Sequence, residues 1–136
     1  MISKTQNLKI ATILPYKENY SFEYASAASL WVAEFFEKSK FKKNCFIYGN
    51  TKSKNYLTKN YRNINLKSLD SKLKSSTKEY SLKLINQIND KKYDLVEIHN
   101  RPQILFNLMN RIESKIVFYF HNDPLTMKGS KSTSER

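Results

Sequence analysis

Tyr93-Asp94-Leu95-Val96-Glu97-Ile98-His99-Asn100-Arg101-Pro102 opens on a short, largely apolar run and closes on residues that start a helix. The run has the length of a strand. Asn100 suits a helix cap, and Pro102 is tolerated in a first turn, where its missing N–H is not needed. Ile104, Leu105, Leu108, Met109 and Ile112 then form a helical stripe at mostly three- and four-residue spacing. Lys115-Ile116-Val117-Phe118-Tyr119-Phe120-His121 follows as a continuous apolar run, expected of a strand covered by helices on both faces. Strand, helix and strand in succession imply a right-handed crossover between parallel strands.

The same alternation extends toward the N-terminus. Leu8 to Leu14 is a buried-strand pattern stopped by Pro15. A helix is expected from about Tyr24 to Lys40, with Ala28, Trp31, Val32, Phe35 and Phe36 on its buried face and Glu34 paired to Lys38 one turn on. Cys45 to Tyr48 forms the next strand, ended by Gly49-Asn50, a pair that tolerates positive φ, and Asn63 to Leu66 a further one. Ser76-Thr77-Lys78-Glu79 has capping-box spacing ahead of a helix buried through Leu82, Ile85 and Ile88. The expected fold is α/β: a Rossmann-like, mainly parallel sheet of four or five strands with helices on both faces, one domain over residues 1–136. Ser132-Thr133-Ser134-Glu135 repeats the capping-box pattern where a next helix would begin.

Composition narrows the chemistry. Its 40% hydrophobic content supports one packed core, and no apolar run approaches the roughly 20 residues a spanning helix needs. Met1 to Lys9 has no apolar segment of signal-peptide type, so the cytoplasm is the expected address. The single cysteine, Cys45, lies in an apolar stretch and is expected to be a small buried residue. A formal charge of +12 would attract nucleic acid, anionic lipid headgroups or phosphorylated ligands. Much of the excess lies between Lys52 and Lys78, as a solvated face. Gly49 and Gly129 are the only glycines, which excludes a G-x-G-x-x-G turn and a P-loop, and G-x-S-x-G is absent.

Ligands of open parallel sheets bind beyond the carboxyl ends of the strands. The residues expected on that rim are Pro15-Tyr16-Lys17, Gly49-Asn50, His99-Asn100-Arg101 and His121-Asn122-Asp123, which include both histidines of the chain. An imidazole can donate to a sugar hydroxyl, accept from it, or change charge near neutral pH. A histidine closing a strand is equally suited to a structural hydrogen bond. His99, His121 and Asp123 make at most a partial metal set, without a recognised ligand spacing.

Four segments together resemble the N-terminal domain of family 4 glycosyltransferases. They are Lys9-Ile10-Ala11-Thr12-Ile13-Leu14-Pro15, Ala27-Ala28-Ser29-Leu30-Trp31-Val32, Asp94 to Pro102, and Phe118-Tyr119-Phe120-His121-Asn122-Asp123-Pro124 with its continuation through Met127-Lys128-Gly129-Ser130. The resemblance covers nearly the whole chain. It implies a GT-B enzyme with two Rossmann-like domains facing a cleft, the C-terminal one holding a nucleotide-sugar donor and the N-terminal one mainly a glycan or lipid-linked acceptor. Transfer in that family generally retains anomeric configuration, with no required metal and no further cofactor. On this resemblance His121 is the expected catalytic residue, near the donor sugar and phosphate. Tyr16, His99, Asn100, Arg101, Asn122, Asp123 and Lys128 are the expected substrate-binding residues.

Two departures from the family pattern matter. Ser26, Ala27 and Ala28 stand where members carry glycine close to the donor diphosphate. The C-terminal domain with its glutamate pair is not in the sequence, so the chain is expected to be a truncated N-terminal half, inactive by itself. Peripheral contact with an anionic inner membrane face would suit the positive charge. Two other functions fit: a small basic module binding nucleic acid nonspecifically through lysines and Tyr56 and Tyr61, or a freestanding subunit completed by a separate C-terminal half.

Overall fold

The computed structural model describes residues 8–66 and 76–121. Five strands and three α-helices follow one another as β1 (Ile10–Ile13), α1 (Ala27–Lys38), β2 (Cys45–Gly49), β3 (Tyr61–Asn63), α2 (Ser76–Lys91), β4 (Leu95–His99), α3 (Pro102–Leu108) and β5 (Lys115–Tyr119). The sheet order is β3-β2-β1-β4-β5, with every ladder parallel. This is the expected Rossmann-like α/β architecture. Chain order runs outward from β1 to β3, returns, and runs outward again through β4 to β5, so the direction reverses between β1 and β4. Such a reversal opens a crevice at the carboxyl edge, because the connections after the two central strands leave toward opposite faces.

Alternation along β1 divides the core in two. Ala11 and Ile13 pack with Tyr80 and Leu84 of α2 and Ile104 and Leu108 of α3. Ile10 and Leu14 pack with Val32 and Phe36 of α1 and with Cys45 and Ile47 of β2. Helices thus cover both faces of the sheet centre. The edge strand β5 differs from its expected covering: Ile116 and Phe118 pack toward the α2 and α3 side, but Lys115, Val117 and Tyr119 are exposed. α1 lies over β1 and β2 and reaches toward β5 through Trp31, whose ring centre lies 5.4 Å from that of Tyr119.

Several local expectations are corrected by packing. α1 starts at Ala27, because the Ser26 side chain accepts from the Ser29 N–H and ends the extended approach there. Only Ser29, Val32 and Phe36 of α1 are buried; Trp31 and Phe35 remain 39% and 52% exposed, since the helix flank that carries them faces past β1. The third strand lies at Tyr61–Asn63, ahead of its expected position, with Ile64 turned into the core just after it. In α2 the buried residues include Tyr80, Leu84, Ile85 and Ile88, whereas Leu82 is exposed. In α3 the stripe ends early, leaving Met109 exposed beyond the helix and Ile112 partly buried. The second capping-box motif, at Ser132, lies outside the described residues.

Gly49 is needed for space and not for a left-handed turn. Neither it nor Asn50 has positive φ, yet a Cβ at Gly49 would stand 2.8 Å from the Tyr61 Oη. That ring cannot easily retreat: it stacks on Tyr20 at 4.9 Å and its hydroxyl is within hydrogen-bonding distance of Thr51 Oγ1 at 2.7 Å. Gly49→Ala should therefore cost about 1–3 kcal/mol of stability through overpacking. Chemical denaturation checks this, and an unchanged midpoint would show that Tyr61 moves freely.

Candidate functional site

β4 and β5 run in register from Leu95 opposite Lys115 to His99 opposite Tyr119, which carries His99 and His121 to the same carboxyl edge. There His99 Nδ1 and His121 Nε2 form a hydrogen bond of 2.9 Å. The two histidines expected on one rim do meet. His99 is buried, 1% exposed, and its ring stacks on Tyr119 at 5.1 Å and 7°. Trp31 of α1 closes the cluster, edge-on to His121 at 5.2 Å.

Asn100 does a different job from the cap expected of it. It adopts a left-handed φ of 54°, donates its N–H to Tyr119 O, and through Oδ1 accepts the His121 N–H at 3.1 Å. Asparagine tolerates that backbone region better than most residues. The helix cap position falls to Arg101, with no side-chain capping bond, and Pro102 occupies the first turn as expected. Asn100 therefore anchors the chain leaving β5 and sets where His121 stands.

Across the crevice, the Arg101 guanidinium lies 5.4 Å from the centre of the Tyr16 ring, and Lys17 Nζ lies 5.5 Å from the same ring. Tyr16 and Arg101 are thus brought together at the switch between β1 and β4. Tyr80 reinforces the β1 end from below by donating its hydroxyl to Leu14 O at 2.7 Å. Asn122, Asp123 and Lys128 lie outside the described residues. So does the third member of the partial metal set, and no group of three or more metal-ligating side chains occurs among the described residues.

Burial lowers the His121 pKa below the usual histidine value; nearby His99 lowers it further, and Glu18 opposes the shift. In the unfolded chain His121 takes its proton at the ordinary value, so at acid pH the unfolded state binds more protons. The contribution to stability is present above pH ~6.5 and is lost as the pH falls through the folded pKa. A titration of the imidazole carbon protons by NMR should find His121 midway protonated below a model histidine; a higher midpoint would mean that Glu18 outweighs burial.

Three residues at this site escaped sequence reasoning. Trp31 counted as core, although its exposed ring borders the histidines. Glu97 stood inside a strand pattern, and its charge in an apolar run was the available signal; its Oε2 lies 3.3 Å from Thr12 Oγ1 and 3.7 Å from His99 Nε2. Glu18, in the loop after β1, carried no sequence signal. Tyr61, offered as a surface for nucleic acid, is buried, and Tyr56 is only half exposed against it at 4.5 Å. Cys45 is buried as expected, and burial pushes its thiol up to about 11. No helix among the described residues is long and apolar enough to cross a membrane. Comparison of the chain with protein-family models, with curated proteins and with solved structures gives no match.

Proposed function

We propose that this chain is the acceptor-side part of a GT-B glycosyltransferase, which moves a sugar from a nucleotide-sugar donor to a glycan or lipid-linked acceptor. The observation that carries the proposal is the His99–His121 pair at the carboxyl edge, beside the crevice where the order of the sheet reverses. That location agrees with the role the sequence resemblance gives to His121. A half-buried imidazole held by its own backbone and by a second histidine is a preorganised donor or acceptor for a sugar hydroxyl or a leaving phosphate. Arg101 and Lys17, gathered about Tyr16, bring positive charge to the residues that follow β4 and β1 on the same edge.

His121 is the proposed catalytic residue in this scheme, and Tyr16, His99, Asn100 and Arg101 position the substrate. The donor is held mainly by a second domain. Accordingly, calorimetry with uridine and guanosine diphosphate sugars should detect no micromolar binding to this chain. The decisive test is the coding sequence after Arg136: it should encode a second Rossmann-like domain with a closely spaced glutamate pair, and the joined product should transfer sugar. Unrelated sequence there, or micromolar donor binding by this chain alone, would sink the proposal.

A further inference from the structure

On the α1 side of the sheet, below the rim, lies a cavity of about 350 Å³, within the size range of small-molecule sites. Trp31, Phe35 and Phe36 of α1 and Phe41 after it bring four aromatic rings to its wall, opposite Ile10 and Leu95 of the sheet. Within this largely apolar lining Thr12, Glu97 and His99 form a polar cluster. His99 Nδ1 is engaged by His121, but His99 Nε2 has no hydrogen-bond partner, and Glu97 Oε2 stands 3.7 Å from it. Buried polar atoms rarely stay unpaired, because their desolvation is then uncompensated.

The missing partner has a definable chemistry. Depending on which histidine donates in the His99–His121 bond, Nε2 is either an N–H donor or a bare acceptor. A hydroxyl serves both cases, and when Nε2 carries the proton it can accept from Nε2 while donating to the Glu97 carboxylate. An ammonium can serve only the bare nitrogen. The aromatic walls favour a flat body that stacks against Trp31 and Phe35, themselves parallel at 5.2 Å and 9°.

We infer that this cavity is a binding site for a hydroxylated aromatic molecule of one or two rings, its hydroxyl seated between His99 Nε2 and Glu97. The site shares His99 with the proposed sugar-binding rim but uses the other ring nitrogen, Nε2, on the cavity side under α1, and it involves no nucleotide.

Trp31 is the only tryptophan, so its emission, excited at the red edge, reports directly from the cavity wall. The full chain should be titrated with a phenolic indanol and, in parallel, with indane, which has the same rings and no hydroxyl. The indanol should shift Trp31 emission saturably, with an affinity roughly tenfold or more above that of indane, as expected for a hydrogen bond to a charged acceptor. Glu97→Ala should lower the affinity for the indanol toward that for indane, with the bond to His99 Nε2 remaining, while circular dichroism reports an intact fold. Because the parent chain carries the comparison of the two ligands, a variant that unfolds does not remove the test. Equal affinities for both ligands, or no saturable shift with either, overturn the inference.

Discussion

Tyr80→Ala should cost about 3–5 kcal/mol of folding stability, the range for removing a large buried aromatic side chain. Tyr80 is completely buried in the core between the sheet and α2, so the cavity left behind has no solvent-facing side through which to collapse. Its hydroxyl also donates to Leu14 O at 2.7 Å, where β1 gives way to the rim. The milder Tyr80→Phe keeps the ring and deletes only that bond, leaving a buried carbonyl short of a donor at about 1–3 kcal/mol. Since a domain of this kind is stable by about 5–15 kcal/mol in total, the alanine variant loses about a fifth of that stability or more and should melt well below the parent. Thermal melts of the two variants give the order: parent, then Phe, then Ala. An alanine variant melting with the parent would mean that Tyr80 is not in the core.

His121→Ala, in a two-domain transferase containing this chain, should lower turnover about a hundredfold, the equivalent of roughly 3 kcal/mol for one preorganised hydrogen-bonding group. It should also lower stability, because His121 Nε2 is the partner of Nδ1 on the buried His99 ring, whose other nitrogen already lacks one. The two effects are separable by expressing rates per folded molecule. His121→Gln is the useful companion, since its amide can still bond His99 and should recover most of the stability without the imidazole's ability to change charge. Normal turnover per folded molecule in His121→Ala would leave His121 a structural partner of His99 and remove the central residue from the proposed site.

What made the site legible was chain direction. In a parallel sheet every strand ends on the same edge, so the apolar runs closing on His99 and His121 had to deliver both histidines to one rim. The sequence could not say that the rings would touch. That depends on the register of β4 with β5 and on Asn100 entering the left-handed region to hold the His121 backbone. Asn100 looked like a helix cap because asparagine serves both purposes, and only the path of the neighbouring strand distinguishes them.

Local periodicity determined which segments are strands and helices, and their alternation determined the parallel α/β class, because a short crossover between strands admits few other arrangements. Which side of each element meets another was decided by the tertiary structure. Trp31 and Phe35 fall on the apolar stripe of α1, and Val117 and Tyr119 fall in the unbroken apolar run of β5, yet all four are exposed. Spacing shows which residues share a face; it does not show how far the neighbouring helix reaches. The cavity under α1, the Glu97 carboxylate within it and the unpaired Nε2 of His99 follow from where that one helix stops covering the sheet.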